Sequence, residues 1–178
     1  MTGGFYTVGH SNRSLEEFMD ILQHAGVQMV VDVRSFPRSR TNPVFNTDTL
    51  PGDLAGRQIG YCHMPALGGR RKQQPEVADC VNALWRNQSF QNYADYALSD
   101  KFAEAFAELV RLGSARRVAL MCSEAVWWRC HRRIITDYLL LNGHEVTHLM
   151  GNRREDAATP TPGATRAADE TVHYPAPA

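Results

Sequence analysis

Gln28-Met29-Val30-Val31-Asp32-Val33-Arg34 is the stretch on which the fold turns. Met29, Val30 and Val31 stand side by side without a polar residue between them. That pattern belongs to a strand covered on both faces of a parallel sheet rather than to one with a wet face. Upstream, Phe5 to Val8 is a short β-prone run, and Ser14-Leu15-Glu16-Glu17 has the form of a capping box. Leu15, Phe18, Ile21 and Leu22 then share one helical face, and Gly26 is a stop signal. Strand, helix and strand are complete by Arg34.

The same alternation continues downstream. A polar segment after Pro37 leads to a short helix around Thr49 to Arg57 and a strand at Ile59 to Met64. Pro65-Ala-Leu-Gly-Gly-Arg-Arg-Lys72 reads as a basic, glycine-bearing loop. From Pro75 to Leu112 the pattern is helical, with Val77, Cys80, Val81 and Leu84 on one stretch and Phe102, Phe106, Leu109 and Val110 on the next. Ser99 caps the second stretch and Gly113 ends it. Arg117 to Met121 is another buried-type strand, a helix ends near Asn142-Gly143, and Val146 to Met150 is the last strand.

These features predict a single α/β domain over residues 1–150, with a mainly parallel open sheet flanked by helices in Rossmann-like layers. In residues 151–178, Ala, Pro and Thr make up more than half of the chain and no apolar period survives, so a disordered tail is expected. The 178 residues suit one core. No apolar run approaches the ~20 residues of a bilayer span, and the N-terminal residues lack the pattern of a signal peptide. A soluble, cytoplasmic protein without a membrane partner is therefore expected, its oligomeric state open. Cys62, Cys80, Cys122 and Cys130 form no C-x-x-C pair, and we read them as reduced thiols.

Lys+Arg and Asp+Glu are both 19, which argues against a globally basic nucleic-acid binder. The balance conceals a local asymmetry. Arg34, Arg38, Arg40, Arg57, Arg70, Arg71 and Lys72 face only Asp48 and Asp53 over residues 33–73, whereas residues 76–110 are acidic. Of the 19 basic residues only Lys72 and Lys101 are lysine, and arginine is the residue that forks onto phosphate and carboxylate.

In an open parallel sheet, ligands bind beyond the carboxyl ends of the strands. The unusual polar residues collect there: His10-Ser11-Asn12, Asp32-Val33-Arg34, His63 with Gly68-Gly69-Arg70-Arg71, and Cys122-Ser123-Glu124. Cys122 ends a strand, and is either a nucleophile or a small buried filler. Glu124, near His131 and across from Asp32, suits acid/base work. Cys130-His131-Arg132 depends on where its helix starts. If Ser123 caps it, Cys130 lies roughly 10 Å from Cys122; if the segment through Trp128 is a loop, all three residues face the crevice. The spacing of the two cysteines is not that of a zinc knuckle, and no metal or other cofactor is expected. Trp127 and Trp128 stand beside the cluster as stacking candidates, one of them expected in the core.

Tyr6-Thr-Val-Gly-His-Ser-Asn12, Asp32-Val-Arg-Ser-Phe-Pro-Arg-Ser39, Tyr61 followed by Pro65-Ala-Leu-Gly-Gly69, Tyr93-Ala-Asp-Tyr96, and Leu120-Met-Cys-Ser-Glu124 with Cys130-His-Arg132 together resemble the DUF488 family of uncharacterised proteins. The resemblance spans roughly residues 4–150, leaves the tail outside, and assigns no reaction. It implies His10, Ser11, Asp32, Arg34, Glu124, Cys130, His131 and Arg132 as a motif set. It also implies a loop ahead of Cys130, although Val126-Trp-Trp-Arg129 stands where the family pattern often has Asp-Pro.

The expected function is that of an enzyme acting on a phosphate-bearing substrate, a nucleotide or nucleic acid component, by hydrolytic or glycosidic/transferase chemistry. Glu124, Asp32, His10, His131 and Cys122 are the catalytic candidates, and Ser11, Arg34, Gly68, Gly69, Arg70, Cys130 and Arg132 the binding ones. The alternatives are a non-catalytic nucleotide or nucleic-acid binding module, and a thiol- or metal-dependent protein using Cys122 and Cys130.

Overall fold

The computed structural model describes residues 3–178. Strand β1 (Gly4–Gly9), helix α1 (Leu15–His24) and strand β2 (Met29–Asp32) come first, followed by α2 (Leu50–Ala55) and β3 (Gly60–His63). Helices α3 (Gln88–Tyr96) and α4 (Asp100–Ala115) precede β4 (Arg117–Cys122), and α5 (Arg132–Leu141) precedes β5 (Val146–Gly151). The sheet order is β3-β2-β4-β1-β5-β6, where β6 is Arg154–Ala157. All neighbours are parallel except β6, which runs antiparallel to β5. The α/β fold with a mainly parallel sheet is therefore present.

Successive strand residues serve opposite layers. Val31, Val33, Leu120 and Cys122 pack with α3, α4 and α5, while Val8, Val30, Ala119 and Met121 pack with α1 and α2. This is the two-sided burial that the unbroken Met29-Val30-Val31 run demands. The helix starts are set by side chains: Ser14 Oγ accepts from Glu17 N–H at 3.1 Å, and Ser99 Oγ from Phe102 N–H at 3.3 Å. Among the described residues no helix is long and apolar enough to cross a membrane.

The structure corrects three local expectations. Residues 75–87 are not a regular helix but a loop with one 3₁₀ turn at Asp79–Asn82. There the buried Asn82 side chain bonds outward, donating to Asp95 at 2.7 Å and accepting from Tyr174 N–H at 3.0 Å. Nor does Gly113 end α4. It lies inside the helix and against β1, and a Cβ there would sit 2.1 Å from the Phe5 ring. Gly113 is a packing glycine.

The third correction concerns the tail. Residues 151–178, expected to be disordered, contribute β6 and a small hairpin of β7 (Thr165–Arg166) and β8 (Val172–His173). Val172 and Tyr174 are fully buried beside α5. Tyr174 O–H donates to Asp137 Oδ2 at 2.7 Å, and Thr161 N–H donates to Oδ1 at 2.8 Å. Two apolar anchors and one satisfied buried carboxylate order a segment whose composition carries no period. Tyr174→Phe removes one of these donors and is expected to cost about 1–2 kcal/mol in urea denaturation.

Candidate functional site

The carboxyl ends of β1, β2 and β4 lie level with one another, Gly9 opposite Cys122 and Asp32 opposite Met121. Beyond them opens a cavity of about 880 Å³. Of the residues singled out from the sequence, His10, Ser11, Arg34, Gly69, Arg70, Cys122, Glu124, Cys130 and His131 line it. Asp32, Gly68 and Arg132 do not: they stand behind the lining and hold it. The walls also include Phe36, Arg129, Phe90 and Tyr93.

Asp32 is fully buried. Its Oδ1 accepts from Arg34 N–H at 3.1 Å and Nε at 2.9 Å, and its Oδ2 accepts from Arg34 Nη2 at 2.7 Å and from the Tyr61 hydroxyl. Burial and the Asp32 carboxylate push the Tyr61 phenol up to about 12. With both oxygens engaged on the far side of Arg34, this carboxylate fixes the arginine and presents nothing to the cavity. Arg34 also donates to the Phe45 carbonyl at 2.8 Å, and its Nη1 lies 3.3 Å from His10 Nε2.

A guanidinium only donates, so His10 Nε2 accepts and Nδ1 donates to the Ser11 carbonyl at 2.8 Å. His10 is thereby held neutral, and burial lowers its pKa. It stacks on Phe45 at 4.5 Å. Both ring nitrogens are committed, which leaves His10 no free position for carrying a proton.

The segment after β4 follows the loop alternative. A 3₁₀ turn at Trp127–Arg129 precedes Cys130 and His131, and α5 begins at Arg132. Cys130 is thereby returned to the end of β4, with its Sγ 3.2 Å from that of Cys122. Beneath both sulfurs lies Arg132, only 1% exposed. Its Nε donates to Cys122 Sγ at 3.0 Å and to Cys130 Sγ at 3.3 Å, Nη1 to Thr7 Oγ1 at 3.1 Å, and Nη2 to the Glu124 carbonyl at 2.6 Å. Among the described residues no carboxylate takes part. A buried guanidinium without an anion is costly, and the groups able to supply the charge are the two thiols.

The two thiols divide unequally. Burial opposes ionisation of Cys130, but the Cys122 thiol, Arg132 and His131 outweigh it and hold Cys130 well below its ordinary value. Arg132 N–H at the start of α5 also points to this sulfur, at 3.4 Å. Burial, with the hydrogen bond to Cys130, pushes Cys122 well above its own. Of the two sulfurs facing this one guanidinium, Cys130 is therefore the readier to ionise.

His131 donates from Nε2 to the Val33 carbonyl at 2.6 Å and lies 5.2 Å from the Tyr93 ring. Gly69 presses on the opposite side, where a Cβ would stand 2.4 Å from His131 Nδ1. Gly68 meets Ser35 in the same way. The two glycines thus serve close packing of the loop rather than a phosphate cradle. Gly69→Ala is expected to displace the His131 ring, lower stability by about 1–3 kcal/mol, and slow alkylation of Cys130 at neutral pH.

Two site residues, Thr7 and His148, escaped sequence reasoning. Thr7 joins Arg132 to His148, whose Nδ1 is 2.6 Å from Thr7 Oγ1, and Trp127 stacks on His148 at 4.4 Å. Burial, then the Arg132 charge, brings His148 down to about 4, so it adds no charge beneath the thiols. Thr7 and His148 sit inside strands as ordinary alternating positions, and no local signal marks them. Trp127 is half-buried and Trp128 exposed, so neither tryptophan enters the core. Among the described residues no three His, Cys, Asp or Glu side chains are grouped to hold a metal ion.

Compared with known proteins, residues 14–139 match the model of the domain of unknown function DUF488. No curated protein and no solved structure matches the chain.

Proposed function

The chain belongs to the DUF488 family, whose description assigns no activity, and from the chemistry of its crevice we propose that it is a thiolate enzyme acting on a phosphate-bearing substrate, a nucleotide or nucleic acid component. The observation that carries this reading is Arg132, buried without a carboxylate and donating to both Cys122 and Cys130. It supports a nucleophilic thiolate in the cavity wall, a role we give to Cys130 rather than Cys122 because Cys130 is the thiol held below its ordinary value. The paired-carboxylate chemistry of glycosidic cleavage is disfavoured, because Asp32 is turned away and Glu124 alone of the two faces the cavity.

Arg70 and Arg129 are exposed on the walls with no ion-pair partner among the described residues. They suit the phosphate. The Arg70 guanidinium lies 5.2 Å from the Phe36 ring centroid, and Phe36, 66% exposed, offers a face to a base. In the reaction the Cys130 thiolate attacks phosphorus, the ester P–O bond breaks, and the leaving oxygen takes a proton from the Glu124 carboxyl. Water then cleaves the S–P bond while Glu124 recovers the proton, releasing phosphate and the thiolate. Asp32, Arg34, His10 and Arg132 act as positioning residues.

The test combines turnover with protection. Phosphate monoesters, including nucleotides, should be hydrolysed by the wild type and not by Cys130→Ser, and Arg70→Gln with Arg129→Gln should raise KM at least tenfold. Inorganic phosphate should slow alkylation of Cys130. Protection without turnover overturns the enzyme reading in favour of a binding module, and neither protection nor turnover overturns both.

A further inference from the structure

Cys122 and Cys130 are separated by seven residues in the chain, and the 123–129 loop brings their sulfurs into hydrogen-bond contact at 3.2 Å. Among the described residues the other two cysteines, Cys62 and Cys80, are not paired with any thiol. A disulfide needs an S–S distance of about 2.0 Å, so closing this pair takes a movement of about 1 Å. Cys122 ends a core strand, while Cys130 occupies an extended position between a 3₁₀ turn and α5. The shift falls on the loop side.

We propose that Cys122 and Cys130 form a reversible two-electron redox centre that exchanges with small-molecule disulfides and thiols. The Cys130 thiolate attacks one sulfur of a disulfide RSSR, the S–S bond of RSSR breaks, and RS⁻ leaves. The Cys122 thiol then gives its proton to that RS⁻ and its sulfur attacks Cys130, expelling the second RS⁻. One thiolate and one thiol of the protein become a disulfide, and RSSR becomes RSH and RS⁻. Two thiols run the sequence backwards.

Arg132 sets the direction in which this couple leans. In the reduced state its charge is met by the thiolate. In the disulfide no anion remains, since its other partners are the Thr7 hydroxyl and the Glu124 carbonyl, with neutral His148 behind them. The oxidised state therefore contains a buried, uncompensated cation, and the reduced state is favoured for the reason that strongly oxidising disulfides are easily reduced. Closing the disulfide would also withdraw the nucleophile. The proposal shares these sulfurs with the enzyme reading but not its substrate, and the two can fail separately.

The test uses the full chain with Cys62→Ser and Cys80→Ser, equilibrated with mixtures of reduced and oxidised glutathione, quenched in acid and weighed. The expected result is a product lighter by two hydrogens. Arg132→Met should form it at a mixture at least tenfold more reducing, and Arg132→Lys should lie between the two. Cys122→Ser should stop with one glutathione on Cys130, and this variant keeps Arg132 and so guards against a folding failure in the others. Accumulation of the glutathione adduct in the parent chain, or a midpoint unmoved by Arg132→Met, overturns the proposal. Disulfide formation without any protection of Cys130 by inorganic phosphate leaves the redox centre standing and removes the phosphate substrate.

Discussion

Arg132→Met is expected to slow alkylation of Cys130 at pH 6 by about ten- to a hundredfold while leaving the protein folded, since each unit by which a thiol rises removes a factor of ten in thiolate. The arginine is the cation that the buried Cys122 and the half-buried Cys130 sulfurs both face. Without it, burial acts on Cys130 unopposed by its strongest fixed charge. A thiolate, unlike a carboxylate, escapes this cost by taking a proton at neutral pH. The change therefore appears mainly in reactivity, with a stability loss of about 1–3 kcal/mol from the vacated hydrogen bonds to Thr7 and Glu124. The pH dependence has a definite sign. Cys130 in the folded protein lies below its ordinary 9.0, so the pair's contribution is complete above that pH and is lost as pH falls through the lowered value. Cys122, raised by burial, costs stability only above 9.0. Below pH 9.0, wild-type stability should thus rise with pH more steeply than that of Arg132→Met. Parallel pH profiles in urea denaturation, or unchanged alkylation, would show that the sulfurs are neutral.

Asp32→Asn is expected to lower stability by about 3–5 kcal/mol, the cost of removing one partner of a buried ion pair. The substitution nearly preserves shape, so the loss is electrostatic. Arg34, 6% exposed, would keep its charge with only the Phe45 carbonyl and His10 Nε2 as fixed acceptors beside a neutral amide. For a domain of this size the melting temperature should fall by about 10 °C or more. Asp32→Asn combined with Arg34→Met removes the stranded charge and should recover at least half of the loss. Differential scanning calorimetry of the three variants decides the matter: a loss below about 1 kcal/mol in the single variant means that Arg34 is hydrated and that Asp32 is not its frame.

The alternation of strands and helices was legible because it rests on local periods. Met29, Val30 and Val31 need two apolar faces, and the Ser14 and Ser99 hydroxyls begin their helices by bonds to residues three positions away. Where long-range partners outweighed local pattern, the reading failed. Tyr174 N–H donates to the Asn82 side chain across 92 residues, and neither segment shows a period that foretells the other. Gly113 resembles a helix stop, but the Phe5 ring from a strand far away in the chain gives it another role.

The candidate site divides along the same line. The gathering of His10, Arg34, Cys122 and Glu124 at one edge follows from strand direction alone, because every parallel strand delivers its last residues to the same side of the sheet. Whether a residue faces the cavity or stands behind it is a matter of a few ångströms. Asp32 and Arg132 lie in motifs as prominent as those of their neighbours, yet one is spent on Arg34 and the other lies beneath two sulfurs. The start of α5 was open because the 123–131 segment satisfies a helix or a loop equally well in local terms. Burial of the Arg132 side chain against Thr7 of β1 goes with the loop, and the loop brings Cys130 to Cys122. The sequence by itself determined the layers and the edge at which polar chemistry collects, since hydrophobic period and chain direction are properties of each segment. Only the tertiary structure decided which charges meet there, because a buried cation selects its partners by distance in space and not by distance along the chain.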